Sequence, residues 1–446
     1  MSPQTVESPR QGSSRQRTRS CATALVCHRC KNEYPLESSV FSCPDCKKGL
    51  DIVYDYELAA SHFKDFPSSE RPQNIWHFEE LLPIVDAGAQ ARVGRHSGYT
   101  PLIRADRLGA ELGISNLYLK DDSSNRPSLS YKDRVVSMSI ARLLEQGKTE
   151  IGCVSTGNVG TAVASLAAKA GVEAFIFYPN RLEEMKARSC MALGAKVCQV
   201  EGNYDEANRR CREVAEATGM DFANITLRPF YAEGAKTAAF EIVEQLDWRS
   251  PEHIVSPAAG GTLSSRMHKG LIELELLGLA ETDGTAIHIA QPSGCNPIAS
   301  AILAEEAEVH PVMPETAAHS LAIGAPGDGY LVIDAVHKRG GTAAFASDPE
   351  IFAGIDLLAA TEGLLTEPAG GTTIAVLEKL AAAGRFESSD TVVALITGNG
   401  LKTLDEHPPK QWPAKIDCEL KPMLEALDAL KSTETLMQTA RAQLAQ

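Results

Sequence analysis

The sequence has no uninterrupted apolar run of about 18 residues, the length a membrane-spanning helix needs, so a soluble chain is expected. It also lacks a basic excess. Its 43 Lys and Arg stand against 58 Asp and Glu, a formal net charge of −15, which argues against broad electrostatic attraction to nucleic acid or anionic membranes. A disulfide framework is missing too. Of the 11 cysteines, Cys21, Cys153, Cys190, Cys198, Cys211, Cys295 and Cys418 are scattered, and a reducing, cytoplasmic compartment is the expectation. Residues 1–24, rich in Ser, Gln, Thr and Arg, contain neither an apolar signal core nor an amphipathic pattern. They read as a disordered tail, not an organellar leader. No internal repeat stands out. What remains is a 446-residue chain with 43% apolar content, enough for a full-sized core plus a small accessory unit and suited to small-molecule chemistry.

The four other cysteines are clustered. Cys27-x-x-Cys30 and Cys43-x-x-Cys46 are separated by twelve residues, and each pair sits on a tight turn that aims two thiolates at one tetrahedral ion. Four sulfur ligands fill the tetrahedron and leave no open position, so a structural zinc ribbon is expected, not a catalytic metal.

Beyond it the chain settles into a regular beat. Residues 116–120 read as a strand, 135–146 as a helix, 151–154 as a buried strand, 159–170 as a helix and 173–178 as the next strand. Helices are expected over 181–193 and 204–218, each stopped by glycine, and over 236–246 and 263–277. Strands are expected at 253–255, 286–290 and 391–396. Such alternation implies parallel sheet covered by helices. The divisions expected are a tail at 1–24, the ribbon at 25–56, a linker at 57–93, the body at 94–418, and a polar helix or tail at 419–446.

Four motifs fall on the turns of this pattern. Lys132 stands in Ser130-Tyr131-Lys132-Asp133-Arg134 ahead of a helix, and Ser155-Thr156-Gly157-Asn158 links a strand end to a helix. Ala258-Ala259-Gly260-Gly261-Thr262 lies between the strand ending at Val255 and the next helix, and Thr397-Gly398-Asn399-Gly400-Leu401-Lys402 follows the last strand. Open parallel sheets bind ligands at the carboxyl ends of their strands. Small residues there let amides approach a phosphate, whose charge the helix dipole favours. Taken singly, a Lys-Asp-Arg triplet is a solvated helix start and Ser155 or Thr156 an ordinary N-cap.

In type and order these motifs resemble those of threonine synthase and its relatives among the fold-type-II pyridoxal-phosphate enzymes, whose common pattern is Ser-Phe-Lys-Asp-Arg followed by Ser-Thr-Gly-Asn. Glu233-Gly234-Ala235-Lys236-Thr237, Gln291-Pro292-Ser293-Gly294-Cys295-Asn296-Pro297 and Glu362-Gly363-Leu364-Leu365-Thr366-Glu367-Pro368-Ala369 extend the match, which runs from Cys27 to about Lys402. The resemblance implies an α/β, tryptophan-synthase-β-like fold of two open parallel-sheet subdomains, with the zinc ribbon at its amino terminus. It makes Lys132 the catalytic Schiff-base lysine and sets Asn158 at the cofactor's phenolic oxygen. It assigns Ala258, Ala259, Gly260, Gly261 and Thr262 to the pyridoxal 5'-phosphate phosphate group and Thr397 to the pyridine nitrogen. Ser155, Thr156 and Gly157 are left for the substrate carboxylate. An amino-acid substrate is implied, and dimerisation is an expectation of the resemblance alone.

The departures cluster where threonine synthases hold their substrate's phosphate. Val159, Tyr231 and Gly260 replace a hydroxyl residue, an arginine and an asparagine; Tyr131 replaces Phe, Val135 replaces Gly, and Ser128-Leu129 interrupts a Thr-Gly. Arg228 or Arg126 would have to restore the charge. The activity implied is elimination or replacement on an amino acid, best specified as O-phosphohomoserine and water giving threonine and phosphate. The alternative is a β-replacement enzyme or lyase acting on a serine or threonine derivative such as O-phosphoserine. A non-catalytic protein using its ribbon for partner contact is a remote third.

Overall fold

The computed structural model describes residues 17–64, 71–155, 157–179, 184–405, 407, 423 and 425–429. Most of the expected tail, the start of the helix expected from 181, Thr156 and most of the carboxyl-terminal segment lie outside these residues; 423 and 425–429 are helical.

The ribbon is a three-stranded antiparallel sheet in the order β2-β1-β3, built from β1 (Ala22–Cys27), β2 (Glu33–Pro35) and β3 (Leu50–Tyr54). β1 starts inside the segment read as a tail. Both cysteine turns close alike: Lys31 N–H donates to Cys27 O at 3.2 Å and Lys47 N–H to Cys43 O at 2.9 Å, with left-handed backbone at both lysines. The four sulfurs lie within 4.8 Å of one another, a donor set that fits a structural zinc.

Helix, turn and loop then alternate through α1 (Tyr56–Ser61), a 3-10 segment at Ile75–Leu81, and α2 (Ala87–Arg92). The body runs β4 (Leu102–Arg104), α3 (Asp106–Leu112), β5 (Asn116–Asp121), α4 (Lys132–Glu145), β6 (Glu150–Val154), α5 (Asn158–Ala170), β7 (Glu173–Pro179), α6 (Glu184–Ala192), β8 (Lys196–Val200) and α7 (Tyr204–Thr218). It continues with α8 (Arg228–Gln245), β9 (His253–Pro257), α9 (Thr262–Leu276), β10 (Ala286–Pro292), α10 (Pro297–Leu303), α11 (Gly329–Lys338), β11 (Ala343–Ala346), α12 (Asp348–Glu362), α13 (Pro368–Ala382) and β12 (Thr391–Ile396).

Two sheets result, one of order β6-β7-β8 and one of order β11-β10-β9-β12-β5-β4, parallel throughout except for β4 at the edge. Both faces of the central strands are covered, which is why β9, β10 and β12 are buried along nearly their whole length instead of alternating. This is the expected pair of open parallel-sheet subdomains.

α8 begins at Arg228, eight residues before the helix expected from Lys236. Gly234 lies inside it, where a Cβ would collide with the Arg134 carbonyl, so the glycine lets α8 press onto α4. The contact buries a charge cluster: Arg134 bonds Asp122 at 2.8 Å and the Glu241 carboxylate, while Lys120 Nζ reaches Glu241 at 2.7 Å.

A second cluster ties the ribbon to the body. Asp51 on β3 meets Arg266 at 2.5 Å and Lys269 at 2.7 Å, and Tyr54 donates to Glu233 at 2.7 Å. Lys236 Nζ stands 2.7 Å from both Glu233 and Glu273. The charges of the Glu233-Gly234-Ala235-Lys236-Thr237 motif therefore serve the seam beneath the ribbon. Unpaired, each would be strongly destabilising in the interior.

Candidate active site

The carboxyl ends of β6, β9 and β12 and the amino ends of α4, α5, α8 and α9 surround one cavity. Lys132, Ser155, Asn158, Arg228, Ala258, Ala259, Gly260, Gly261, Thr262 and Thr397 all line it. Gly157 is not among the lining residues, and Thr156 lies outside the described residues. Arg126 is exposed and is likewise absent from the wall, which leaves Arg228 as the guanidinium present.

Lys132 is the one lysine among the described lining residues. Its Nζ donates to Tyr131 Oη at 2.5 Å. Lys120 and Lys236 are buried elsewhere and held by Glu241 and by Glu233 with Glu273. Backbone bonds fix the turn ahead of α4: Tyr131 N–H donates to Thr397 O at 3.0 Å and Asn399 N–H to Leu129 O at 3.1 Å.

Asn158, the first residue of α5, is buried and held from two sides. Its Nδ2 donates to Glu367 at 2.5 Å, and its Oδ1 accepts from Lys402 Nζ at 2.7 Å. Lys186 joins through Glu367 at 3.1 Å. Burial pushes the Lys402 ammonium below its ordinary range, with Glu367 opposing the shift. Glu367 and Lys402 lay within recognised motifs that gave them no role; Lys186 lay in no motif at all.

Ser155 works as a cap. Its Oγ accepts from the Gly157 amide at 2.9 Å and the Gly160 amide at 2.8 Å. The Gly157 N–H is thus engaged by Ser155 and does not stand open to a carboxylate.

The 258–262 loop turns from β9 into α9. Gly261 takes φ +96°, where a Cβ would come within 2.9 Å of Val332 and 3.0 Å of Asp328. At Gly260 the space a Cβ would occupy has, among the described residues, only Ile323 Cδ1 near it, at 3.7 Å, so the missing side chain keeps the cavity open beside the amino end of α9. Arg228 Nη2 bonds Thr262 Oγ1 at 2.7 Å and Asp328 Oδ2 at 2.5 Å. Tyr231, one turn along α8, lies with its ring 5.7 Å from that guanidinium. Tyr204 completes this wall, and burial pushes its phenol up to about 12. Burial and then Tyr131 push Tyr231 well above the ordinary range. Both phenols stay neutral.

Residues 93–398 match the model of the pyridoxal-phosphate dependent enzyme family. The chain belongs to that family. Threonine synthase of Methanocaldococcus jannaschii is 33% identical over 407 residues, 91% of this chain and 99% of the relative. Threonine synthase of Methanosarcina acetivorans is 33% identical over 380 residues, 85% of this chain and 92% of the relative. Diaminopropionate ammonia lyase from Escherichia coli matches with a TM-score of 0.61 at 18% identity, covering 79% of this chain and 90% of that one, a likeness of fold alone. In this pyridoxal-phosphate dependent enzyme the residues fit the cofactor. The one lysine among the described lining residues suits its aldehyde, the open glycine loop at a helix amino terminus suits its phosphate, and a buried carboxamide of fixed orientation suits its ring oxygen.

Proposed function

We propose that this enzyme carries out elimination or replacement on an amino acid, and that its reaction is the conversion of O-phosphohomoserine and water to threonine and phosphate. The observation that carries the reading is one cavity wall holding Lys132, Asn158, the 258–262 loop and Arg228 together. Its support in kinship is the pair of relatives named threonine synthase, matched over nearly their full length.

Bound there, pyridoxal phosphate would supply an electron sink next to the substrate's Cα. Lys132 would hold the cofactor covalently and, once displaced by the substrate's amino group, take the proton from Cα and return it further along the chain. Asn158, clamped by Glu367 and Lys402, would fix the ring's orientation. Thr397 lies in the same wall; a hydroxyl there, unlike a carboxylate, would not hold a pyridine nitrogen protonated, which suits elimination over transamination. Arg228 would receive the leaving phosphate from a position one turn before Tyr231, restoring the cation that Tyr231 lacks. Val159 and Leu321 give the same cavity apolar wall.

One observation favours a second reading. Asp328 sits 2.5 Å from Arg228 and neutralises it, and a neutralised guanidinium in a cavity also lined by Val159 and Tyr231 suits an unphosphorylated serine or threonine derivative. A product screen by mass spectrometry with phosphorylated and unphosphorylated amino acids separates the two. Threonine and phosphate from O-phosphohomoserine support the first, and turnover confined to unphosphorylated substrates supports the second.

A further inference from the structure

Tyr131 occupies the position where the resembling motif carries phenylalanine, and its hydroxyl is in contact with the amine. Lys132 Nζ donates to Tyr131 Oη at 2.5 Å and lies 4.1 Å from the ring centroid. Successive side chains on a helix do not ordinarily face each other. Here both turn into the same cavity, because Tyr131 is the residue before the first turn of α4 and its backbone is bonded to Thr397, with Ser130 paired to Gly398.

A phenol hydroxyl both donates and accepts. Toward an ammonium it accepts a hydrogen bond, and toward a neutral amine it donates one. The same group can therefore keep hold of Nζ while the amine gains and loses a proton. A phenylalanine ring offers no such partner. Tyr231, the second phenol of this wall, lies close enough to feel Tyr131 electrostatically and is kept neutral, so it does not compete for the proton.

We propose that Tyr131 is a positioning residue for Lys132, holding its amine toward the cavity in both protonation states, so that it meets the cofactor's aldehyde and later the substrate's Cα proton from one direction. The inference rests on the proposed covalent role of Lys132.

The test is the rate of cofactor loading. Full-length wild type, Tyr131→Phe and Tyr131→Met are stripped of cofactor and mixed with pyridoxal phosphate. The amine nitrogen forms a C=N bond to the aldehyde carbon as water leaves, and borohydride then adds hydride to that carbon, giving a stable label located by peptide mass. Wild type is expected to label at Lys132. Both variants are expected to reach the same stoichiometry at the same residue about 10-fold more slowly, with kcat reduced by roughly 10- to 100-fold and KM retained. Equal loading rates and equal kcat in wild type and Tyr131→Phe would overturn the inference. So would loss of the melting transition in both variants, which would make Tyr131 a residue of folding. No label at Lys132 in wild type would overturn the proposed function instead.

Discussion

Arg228 Nη2 stands 2.5 Å from Asp328 Oδ2, so the cavity's guanidinium meets any substrate already paired with a carboxylate. The pair joins the start of α8 to the residue before α11, and Thr262 bridges both members. Whether Arg228 receives a phosphate is therefore decided by competition with Asp328. If it does, Arg228→Ala should lower kcat/KM for O-phosphohomoserine by roughly 10- to 100-fold, the worth of a charge-assisted hydrogen bond. Asp328→Asn, which removes the competing charge at the same shape, should lower KM for that substrate. Steady-state kinetics on both variants check this. An unaffected Arg228→Ala enzyme would move the assignment to the unphosphorylated substrate class.

The ribbon is expected to matter through its seam. Cys43→Ser should release the metal and destabilise the fold. Asp51→Asn should destabilise by about 2 kcal/mol even with the metal retained, because Arg266 and Lys269 lose one of the two carboxylates they share and keep Glu233. Burial alone would raise the Asp51 carboxyl, yet Arg266 and Lys269 hold it far below the ordinary range. A depressed carboxyl stabilises above its unfolded value of about 4, and the contribution fades as the pH falls further. The gap between wild type and Asp51→Asn in chemical denaturation should thus be full at pH 7 and shrink below pH of about 4. Zinc content measured beside it separates seam from metal.

Asp133 has the opposite sign. Burial pushes its carboxyl up to about 7, against the Ser128 amide that donates to Oδ2 at 2.9 Å; Oδ1 has no hydrogen-bond partner among the described residues. A raised carboxyl costs nothing below its unfolded value of about 4, and costs progressively more up to its folded value. Asp133→Asn in cofactor-free protein should therefore gain about 1–3 kcal/mol over wild type at pH 8 and lose that advantage at pH 4. Denaturation curves at the two pH values check it, and a constant difference would contradict the assignment.

What the sequence made legible was what repeats or sits on a turn. The helix expected at 204–218 has those bounds, because Asn203 caps it with Glu206 and Gly219 ends it in the left-handed region. The four motifs were readable because strand ends, small residues and helix starts leave local marks. The stretch from 297 to 382 was not. α12 and α13 are rich in alanine, glycine and other small or apolar residues with no sharp polar face, and β11 is four residues of Ala, Ala, Phe and Ala. Asp328 and Lys186 were equally hidden, since each gains its meaning from a partner a hundred or more residues away. The charges at Glu233 and Lys236 lay in a stretch that extended the resemblance without a role of its own, and only the packing of β3 reveals them as the seam.

The most direct measurement is borohydride reduction of the protein with pyridoxal phosphate, followed by peptide mapping. One reduced adduct is expected, on Lys132, absent in a folded Lys132→Ala variant. An adduct on Lys120, Lys236 or Lys402, or none at all, would contradict it.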